Sequence, residues 1–176
     1  MKIALNRDWN EFLSALIARR VRFVLIGGHA VAGHGEPRLT EDLDVFVDPS
    51  IANARRLHDA LVDFGFAAVA PRVSELAKPD RVFMLGRKPW RIDILTGIDG
   101  VTFREVWRSR VEARFAEKPL YVIGRAALIK NKRAAGRDKD LRDIALLEAH
   151  PARRVATPVR RTVKRRRVRS HLSARR

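Results

Sequence analysis

Two aspartates that stand two positions apart, in the segment Asp42-Leu-Asp44-Val-Phe-Val, constrain the fold of this chain more than any other feature. The branched and aromatic neighbours predict a strand over residues 43–47, and side chains at i and i+2 of a strand lie on one face. Asp42 and Asp44 therefore project together, although like charges repel. A strand that keeps such a pair usually binds a cation, and oxygen ligands suit Mg²⁺ or Mn²⁺ better than zinc.

A pair of glycines, Gly27 and Gly28, precedes these aspartates by fourteen residues. The pair ends a buried strand predicted over residues 21–26. Because glycine has no Cβ, its backbone N–H groups can approach a phosphate that a larger residue would exclude. A glycine pair alone is weak evidence for phosphate binding, but its position before two aligned carboxylates predicts a nucleotide site.

The body of the chain alternates between helix-type and strand-type periodicity, which predicts an α/β fold with a mixed sheet flanked by helices. Asn6 is predicted to cap the first helix and Ser50 the helix that ends at Gly65. Further strands are predicted over residues 82–85, 91–95 and 120–123, and further helices over residues 29–34, 103–108, 125–135 and 139–149. In the last helix, the predicted core residues are Leu141, Ile144, Ala145 and Leu147.

Segment 91–95 carries a third carboxylate, in the order Arg-Ile-Asp-Ile-Leu. If Ile92 and Ile94 face the core, period-2 alternation places Asp93 on the opposite face. Trp90 and Trp107 lie beside strand segments, and we predict core packing for them rather than stacking on a base.

Charge is distributed unevenly along the 176 residues, whose net charge is +17. Residues 151–176 contain eleven Arg and Lys and no acid. So many like charges with few large apolar residues predict a disordered tail after a domain of residues 1–150. The tail is expected either to bind phosphates of a nucleic acid through charge or to act as a solubilising extension, and we favour the first.

Other sequence features narrow the class of protein. Cysteine is absent, so thiolate metal sites and disulfides are excluded. The first eight residues lack a signal-peptide apolar stretch, and no segment is apolar for the ~18 residues that a membrane span needs. We therefore expect a cytoplasmic protein with no membrane partner.

These residues resemble the DNA polymerase β-like nucleotidyltransferase superfamily, which is marked by hydrophobic-Gly-Gly/Ser, then Asp-x-Asp, then a third Asp. The resemblance covers residues 20–148 and is closest to small bacterial members, including nucleotidyltransferase toxins. In those members a Lys-rich helix and a Gly-Arg-x-Lys-Asp-Leu-x-Asp segment follow. The corresponding segments here are Lys130-Asn-Lys132 and residues 136–143.

The resemblance implies roles for particular residues. Asp42, Asp44 and Asp93 would be catalytic and would hold Mg²⁺ or Mn²⁺, and Asp93 would also deprotonate or orient the attacking hydroxyl. The residues implied for nucleotide binding are Gly27, Gly28, Arg38, Thr40 and Lys132.

Several of these assignments leave alternatives open. Arg38 contacts a phosphate or is a surface charge, and Thr40 caps or orients the loop before Asp42. Lys130 and Lys132 cannot share a helix face, so we favour Lys132 for phosphate contact and expect Lys130 to be solvated. Local hydrogen bonds are expected for His29 and His34. Polar contacts that fasten the last helix to the core are expected for Arg137, Asp140 and Asp143.

The function that the resemblance implies is transfer of an NMP from an NTP to a hydroxyl acceptor. A nucleic acid, especially a tRNA 3′ end, is the first expected acceptor because the excess positive charge suits a polyanion. A protein hydroxyl is second, and an aminoglycoside is disfavoured because a cationic drug requires an acidic pocket. A cognate toxin or antitoxin is a further expected partner. The alternative outside enzymology is a nucleic-acid-binding module on the same fold, which three intact carboxylates disfavour.

Overall fold

A computed structural model describes residues 6–35, 40–87, 89–115 and 118–149. Within these residues, six strands form one mixed sheet in the order β3-β4-β2-β1-β6-β5. The strands are β1 (Phe23–Leu25), β2 (Asp42–Val47), β3 (Val82–Leu85), β4 (Arg91–Leu95), β5 (Val111–Phe115) and β6 (Lys118–Val122). β1 is buried along its whole length and occupies the middle of the sheet, where it pairs antiparallel with β2 and parallel with β6.

The described helices flank this sheet. They are α1 (Arg7–Ala18), α2 (Gly27–Gly33), α3 (Ile51–Leu61), α4 (Val73–Leu76), α5 (Phe103–Ser109), α6 (Arg125–Ala135) and α7 (Asp138–Ala149), and a π-helical turn (Val62–Phe66) follows α3. α1 packs on α3, α3 on α4, and α6 on α7. One continuous core joins α1 to the sheet through Trp9, Phe12, Leu13 and Leu16.

Local signals set several helix ends as the sequence predicts. The Asn6 side chain accepts a hydrogen bond from the Trp9 N–H at 2.8 Å and caps α1. Thr102 and Glu105 form a capping box at the start of α5. Gly136 ends α6 in the left-handed conformation, with φ at +64°. The strands β3 and β4 begin and end at the predicted residues.

Other predictions of local structure are wrong. Ser50 stands at the start of α3 but makes no side-chain cap; its N–H instead binds the Asp48 carboxylate at 3.1 Å. The π-helical turn with Gly65 at φ +99° interrupts the predicted helix before that glycine. β5 and α4 were not predicted, because β5 alternates polar and apolar residues at the outer edge of the sheet and α4 is a single turn.

The orientation of α7 also differs from the prediction. Leu141, assigned to the core, is 57% exposed, whereas Asp140 and Asp143 are buried. The helical periodicity of apolar residues along α7 is weak. The face that is buried is the one whose aspartates pair with Lys132 of α6. Ile144 and Leu147 are buried as predicted.

Candidate active site

Strands β2 and β4 bring the three predicted carboxylates together. The two strands are parallel, and their register pairs Asp42 with Arg91 and Asp44 with Asp93. Paired residues of neighbouring strands project on the same face of a sheet. The four side chains therefore form one patch, at the wall of a cleft of about 540 Å³. The cleft is also lined by every described residue that was assigned to nucleotide binding, namely Gly27, Gly28, Thr40 and Lys132.

Arg91 links two of the carboxylates. Its Nε donates to Asp93 Oδ1 at 2.7 Å, and its Nη2 donates to Asp93 Oδ2 at 2.8 Å and to Asp42 Oδ2 at 2.9 Å. These charge-assisted bonds hold Asp93 in a bidentate pair. No role of Arg91 was predicted, although its i, i+2 spacing from Asp93 on a strand is a signal that could have indicated this ion pair.

Asp44 is half-buried at the wall of the cleft. Burial, together with the negative charges of Asp42 and Asp93, raises its pKa from the ordinary 3.8 to about 6. Lys139 and Arg91 act against this shift with smaller effects. The site therefore carries more negative charge than its cations balance, which is the condition under which an added cation is attracted most strongly.

Two features of this site require a glycine at position 27. Its φ is +64°, in the left-handed region, and a Cβ built on it would lie 1.9 Å from Asp44 Oδ2. A Cβ on Gly28 would lie 2.8 Å from Cβ of Thr40. The backbone at the start of α2 is thus packed directly against a carboxylate of β2, which brings the predicted phosphate-binding segment beside the predicted metal ligands.

Thr40 orients the start of β2. Its Oγ1 donates to Asp42 Oδ1 at 2.8 Å and lies 3.1 Å from the Asp42 carbonyl oxygen. Of the two alternatives for Thr40, orientation of the loop before Asp42 agrees with this geometry. Arg38 lies outside the described residues.

Lys132 faces a second group of carboxylates on the other wall of the cleft. Its Nζ donates to Asp140 Oδ1 at 3.0 Å and to Asp143 Oδ2 at 2.6 Å, and all three side chains are buried. Arg137 Nε donates to Asp140 Oδ2 at 2.6 Å, and these bonds hold the pKa of Asp140 below its ordinary value against the effect of burial. The expected fastening of the last helix is confirmed for Asp140 and Asp143, which Lys132 ties to α6, whereas Arg137 makes a local pair with Asp140.

The two lysines of α6 differ in the way that their spacing predicts. Lys130 is exposed and pairs with Glu105 at 3.5 Å, as expected for a solvated lysine. Lys132 lines the cleft, but its ammonium group is already bound by two carboxylates. Its phosphate contact stays a prediction.

The predictions for the two histidines and two tryptophans are confirmed in part. His34 Nε2 lies 2.8 Å from the Ile123 carbonyl oxygen, so the expected local hydrogen bond is found. His29 is buried against the edge of Trp9, and its Nε2 finds no hydrogen-bond partner among the described residues, so the expected local bond is not observed. Burial lowers the pKa of His29, and the charge of Asp42 opposes this. Trp107 packs on the core, whereas Trp90 is 53% exposed, against its prediction.

The donor set fits a hard divalent cation. Three carboxylates on one face supply only oxygen ligands, and Arg91 bound between two of them shows that a cation is stabilised there. Across the described residues, no three or more acidic or histidine side chains stand close enough to form a ready-made metal site. Arg91 occupies the space between Asp42 and Asp93 instead, so a metal ion bound to both would have to displace its guanidinium.

Comparison with solved structures shows which fold this arrangement belongs to. The chain is similar to the lincosamide antibiotic adenylyltransferase LnuA in its lincomycin-bound form, with a TM-score of 0.51 and 14% identity over 83% of this chain and 98% of that chain. It also matches an antigenic nucleotidyltransferase-like protein from Paracoccidioides brasiliensis, with a TM-score of 0.47 and 18% identity over 81% and 77% of the two chains. No family model and no curated protein sequence matches it.

The first of these similarities confirms the predicted nucleotidyltransferase fold. At this identity it supports the fold alone. A helix suitable for crossing a bilayer is not found among the residues that the structure describes.

Proposed function

We propose that this protein is a metal-dependent nucleotidyltransferase that moves an NMP from an NTP to a hydroxyl acceptor. The observation that carries the proposal is the close packing of Gly27 on Asp44, whose register partner is Asp93. A backbone segment suited to phosphate thus adjoins carboxylates suited to a cation. Nucleotidyl transfer needs both at the α-phosphorus, where charge develops on the entering and leaving oxygens.

The cation would be held by Asp42, Asp44 and Asp93. When bound, a divalent metal supplies Lewis-acid stabilisation of the charge that develops on phosphate oxygens. Arg91 would then give up its contact with Asp42 and remain available to balance charge beside Asp93.

The protein's own groups would perform three tasks. The first N–H groups of α2, which have no partner within the helix, would bind the triphosphate through Gly27 and Gly28. A carboxylate oxygen of Asp93 would take the proton of the acceptor hydroxyl. That hydroxyl oxygen would form a bond to the α-phosphorus as the bond to pyrophosphate breaks.

The acceptor that we propose is the 3′ end of an RNA. The net charge of +17 supports a polyanionic partner, and its concentration in residues 151–176 supports the division into a catalytic domain of residues 1–150 and a basic tail. A protein hydroxyl would need no such excess of positive charge.

Transfer can be tested directly. The full chain is incubated with each α-labelled NTP, Mg²⁺, and total RNA or total protein, and products are separated on gels. We expect label in RNA and a loss of at least ~10²-fold in the Asp93→Asn variant, the usual effect of removing a general base. Label in protein alone would redirect the acceptor assignment, and no label in any fraction would contradict the proposal.

A further inference from the structure

The edge strand β3 places apolar side chains next to the catalytic carboxylates. β3 pairs with β4 antiparallel, with Met84 opposite Asp93 and Val82 opposite Leu95. Because Asp93 is itself opposite Asp44, the side chains of Asp44, Asp93 and Met84 form a row across three strands on one face. Neighbouring strands lie about 4.8 Å apart, so Met84 is one strand spacing from Asp93.

This apolar surface is exposed. Met84 is 65% and Val82 55% exposed, and Val82 also lines the cleft. Trp90, in the turn that joins the two strands, is half exposed and is fixed by edge contact with Trp9, whose Nε1 donates to the Trp90 carbonyl oxygen at 3.4 Å. Exposed apolar residues on a short edge strand favour self-association unless they serve a binding partner.

The charge around this surface indicates which partner. From Arg81 to Ile92 the sequence contains four basic residues and no acid. Arg81 and Arg87 are exposed at the two ends of β3. Alternation of cations with apolar and aromatic side chains is the pattern that binds single-stranded nucleic acid, with phosphates on the cations and bases on the apolar groups.

We propose that this hairpin surface, comprising Arg81, Val82, Met84, Arg87 and Trp90, binds single-stranded RNA and directs its 3′ hydroxyl to Asp93. The inference rests on the proposed function and adds to it the surface that binds the acceptor and the single-stranded form in which the acceptor binds. A base that lies against Met84 and Val82 is adjacent to Asp93 on the side away from Asp44. The nucleotide and the acceptor then approach the carboxylates from opposite sides.

The test measures RNA binding rather than transfer. Fluorescence anisotropy of an end-labelled single-stranded RNA is followed with the full chain, with Mg²⁺ but without NTP, over a range of salt concentrations. Met84→Glu should weaken binding about 10-fold, the scale of one lost base contact. Because base stacking is less sensitive to salt than the attraction between charges, the difference in affinity between Met84→Glu and the wild type should persist at salt concentrations that screen the basic tail.

Matched variants distinguish a specific contact at the hairpin surface from a general effect of charge on RNA affinity. Ile51 on α3 is 53% exposed, so Ile51→Glu adds the same charge to a comparable apolar site outside the hairpin and should bind as the wild type does. Met84→Leu keeps the apolar surface and should also bind normally. Arg87→Gln should reduce the slope of log affinity against log salt by about 1, whereas Arg55→Gln on α3 should leave it unchanged.

Three results would overturn the inference. One is equal affinity for Met84→Glu and the wild type, and another is an equal loss for Met84→Glu and Ile51→Glu. The third is a change of oligomeric state in Met84→Glu with unchanged RNA affinity, which would make the hairpin a protein interface.

A photoreactive 3′ nucleotide provides an independent measurement. It should cross-link within residues 81–95, and cross-links confined to residues 151–176 would contradict the proposal. Failure of the inference can be distinguished from failure of the proposed function. If Met84→Glu still binds RNA while Asp93→Asn loses transfer, the surface is wrong and the enzyme assignment stands. If Met84→Glu loses RNA affinity but the wild-type chain labels no acceptor, the surface stands and the enzyme assignment is wrong.

Discussion

The two walls of the cleft both bury aspartates, but they differ in how the negative charge is balanced. On one wall, Lys132 and Arg137 donate hydrogen bonds to Asp140 and Asp143, so two cations face two carboxylates. On the other wall, Arg91 donates to Asp42 and Asp93, and Lys139 acts on Asp44 through its charge, so among the described residues two cations face three carboxylates. The first cluster is complete without a ligand, whereas the second has surplus negative charge.

This difference separates a structural role from a binding role. Buried carboxylates with matched cations fasten one helix to another, and a further cation would be repelled there. Burial and, to a smaller extent, the surplus charge raise the pKa of Asp44 to about 6, and the surplus charge lowers the cost of bringing a cation to its side. Net charge within a cluster, rather than the number of its aspartates, distinguishes the group that we propose binds a metal.

We call Asp42, Asp44 and Asp93 the unbalanced cluster and Lys132, Arg137, Asp140 and Asp143 the balanced cluster. The largest expected effect is the loss of nucleotide transfer when a carboxylate of the unbalanced cluster is removed. Asp42→Ala should reduce nucleotide transfer at least about 10³-fold, because the cation supplies several kcal/mol of transition-state stabilisation. The melting temperature should hold or rise, since one of three repelling charges is gone. Labelled-NTP transfer and thermal melting measure the two effects. Asp59→Ala, on the exposed face of α3, is the matched control and should transfer normally; near-normal turnover in Asp42→Ala would refute the assignment.

The balanced cluster should show the opposite behaviour, a large loss of stability. Lys132→Met leaves two buried carboxylates without their shared cation and should lower the free energy of unfolding by about 3–5 kcal/mol. Lys130→Met, which removes an exposed pair on the same helix, should change it by less than about 1 kcal/mol. Urea unfolding of both variants measures the contrast. Equal stabilities would mean that Lys132 is not structural and is free for phosphate contact.

A smaller change in stability is expected for Asp44→Asn in metal-free protein, and it is a gain, whereas Lys132→Met causes a loss. The folded-state pKa of Asp44, about 6, exceeds its ordinary 3.8, so folding binds the proton more tightly. Wild-type stability is therefore lost as pH rises from about 4 to 6, and the asparagine variant avoids this loss. Its gain should reach at most about 3 kcal/mol above pH 6 and vanish below pH 4. A gain that is independent of pH would show that charge repulsion is not its cause.

Much of this cleft was predictable from local sequence, because strand alternation is a local property. The i, i+2 spacing of Asp42 and Asp44 was enough to place that pair on one face of β2, and the flanking isoleucines were enough to place Asp93 on the face of β4 opposite to them. Gly27 was singled out for its lack of a Cβ, which the structure shows is needed for its approach to Asp44 Oδ2, whereas its phosphate contact stays a prediction. Strands β3 and β4 were bounded correctly because Gly86 and Pro89 mark the turn between them.

What the sequence did not predict depends on contacts between distant segments. Arg91 bonds to Asp42 only because β2 and β4 pair in one particular register. The burial of Asp140 and Asp143, and the exposure of Leu141, follow from Lys132 on the preceding helix. The exposed row of Val82 and Met84 follows from the edge position of β3, which alternation within four residues cannot reveal.

The most direct test of the comparison is Mn²⁺ binding, followed by the loss of the electron paramagnetic resonance signal of free Mn²⁺ as protein is added. The wild-type chain should bind Mn²⁺, and Asp44→Asn should bind it at least about 10-fold more weakly. Asp59→Asn, a surface control, should match the wild type. Equal Mn²⁺ affinity in the wild type and Asp44→Asn would contradict the assignment of the unbalanced cluster as the metal site.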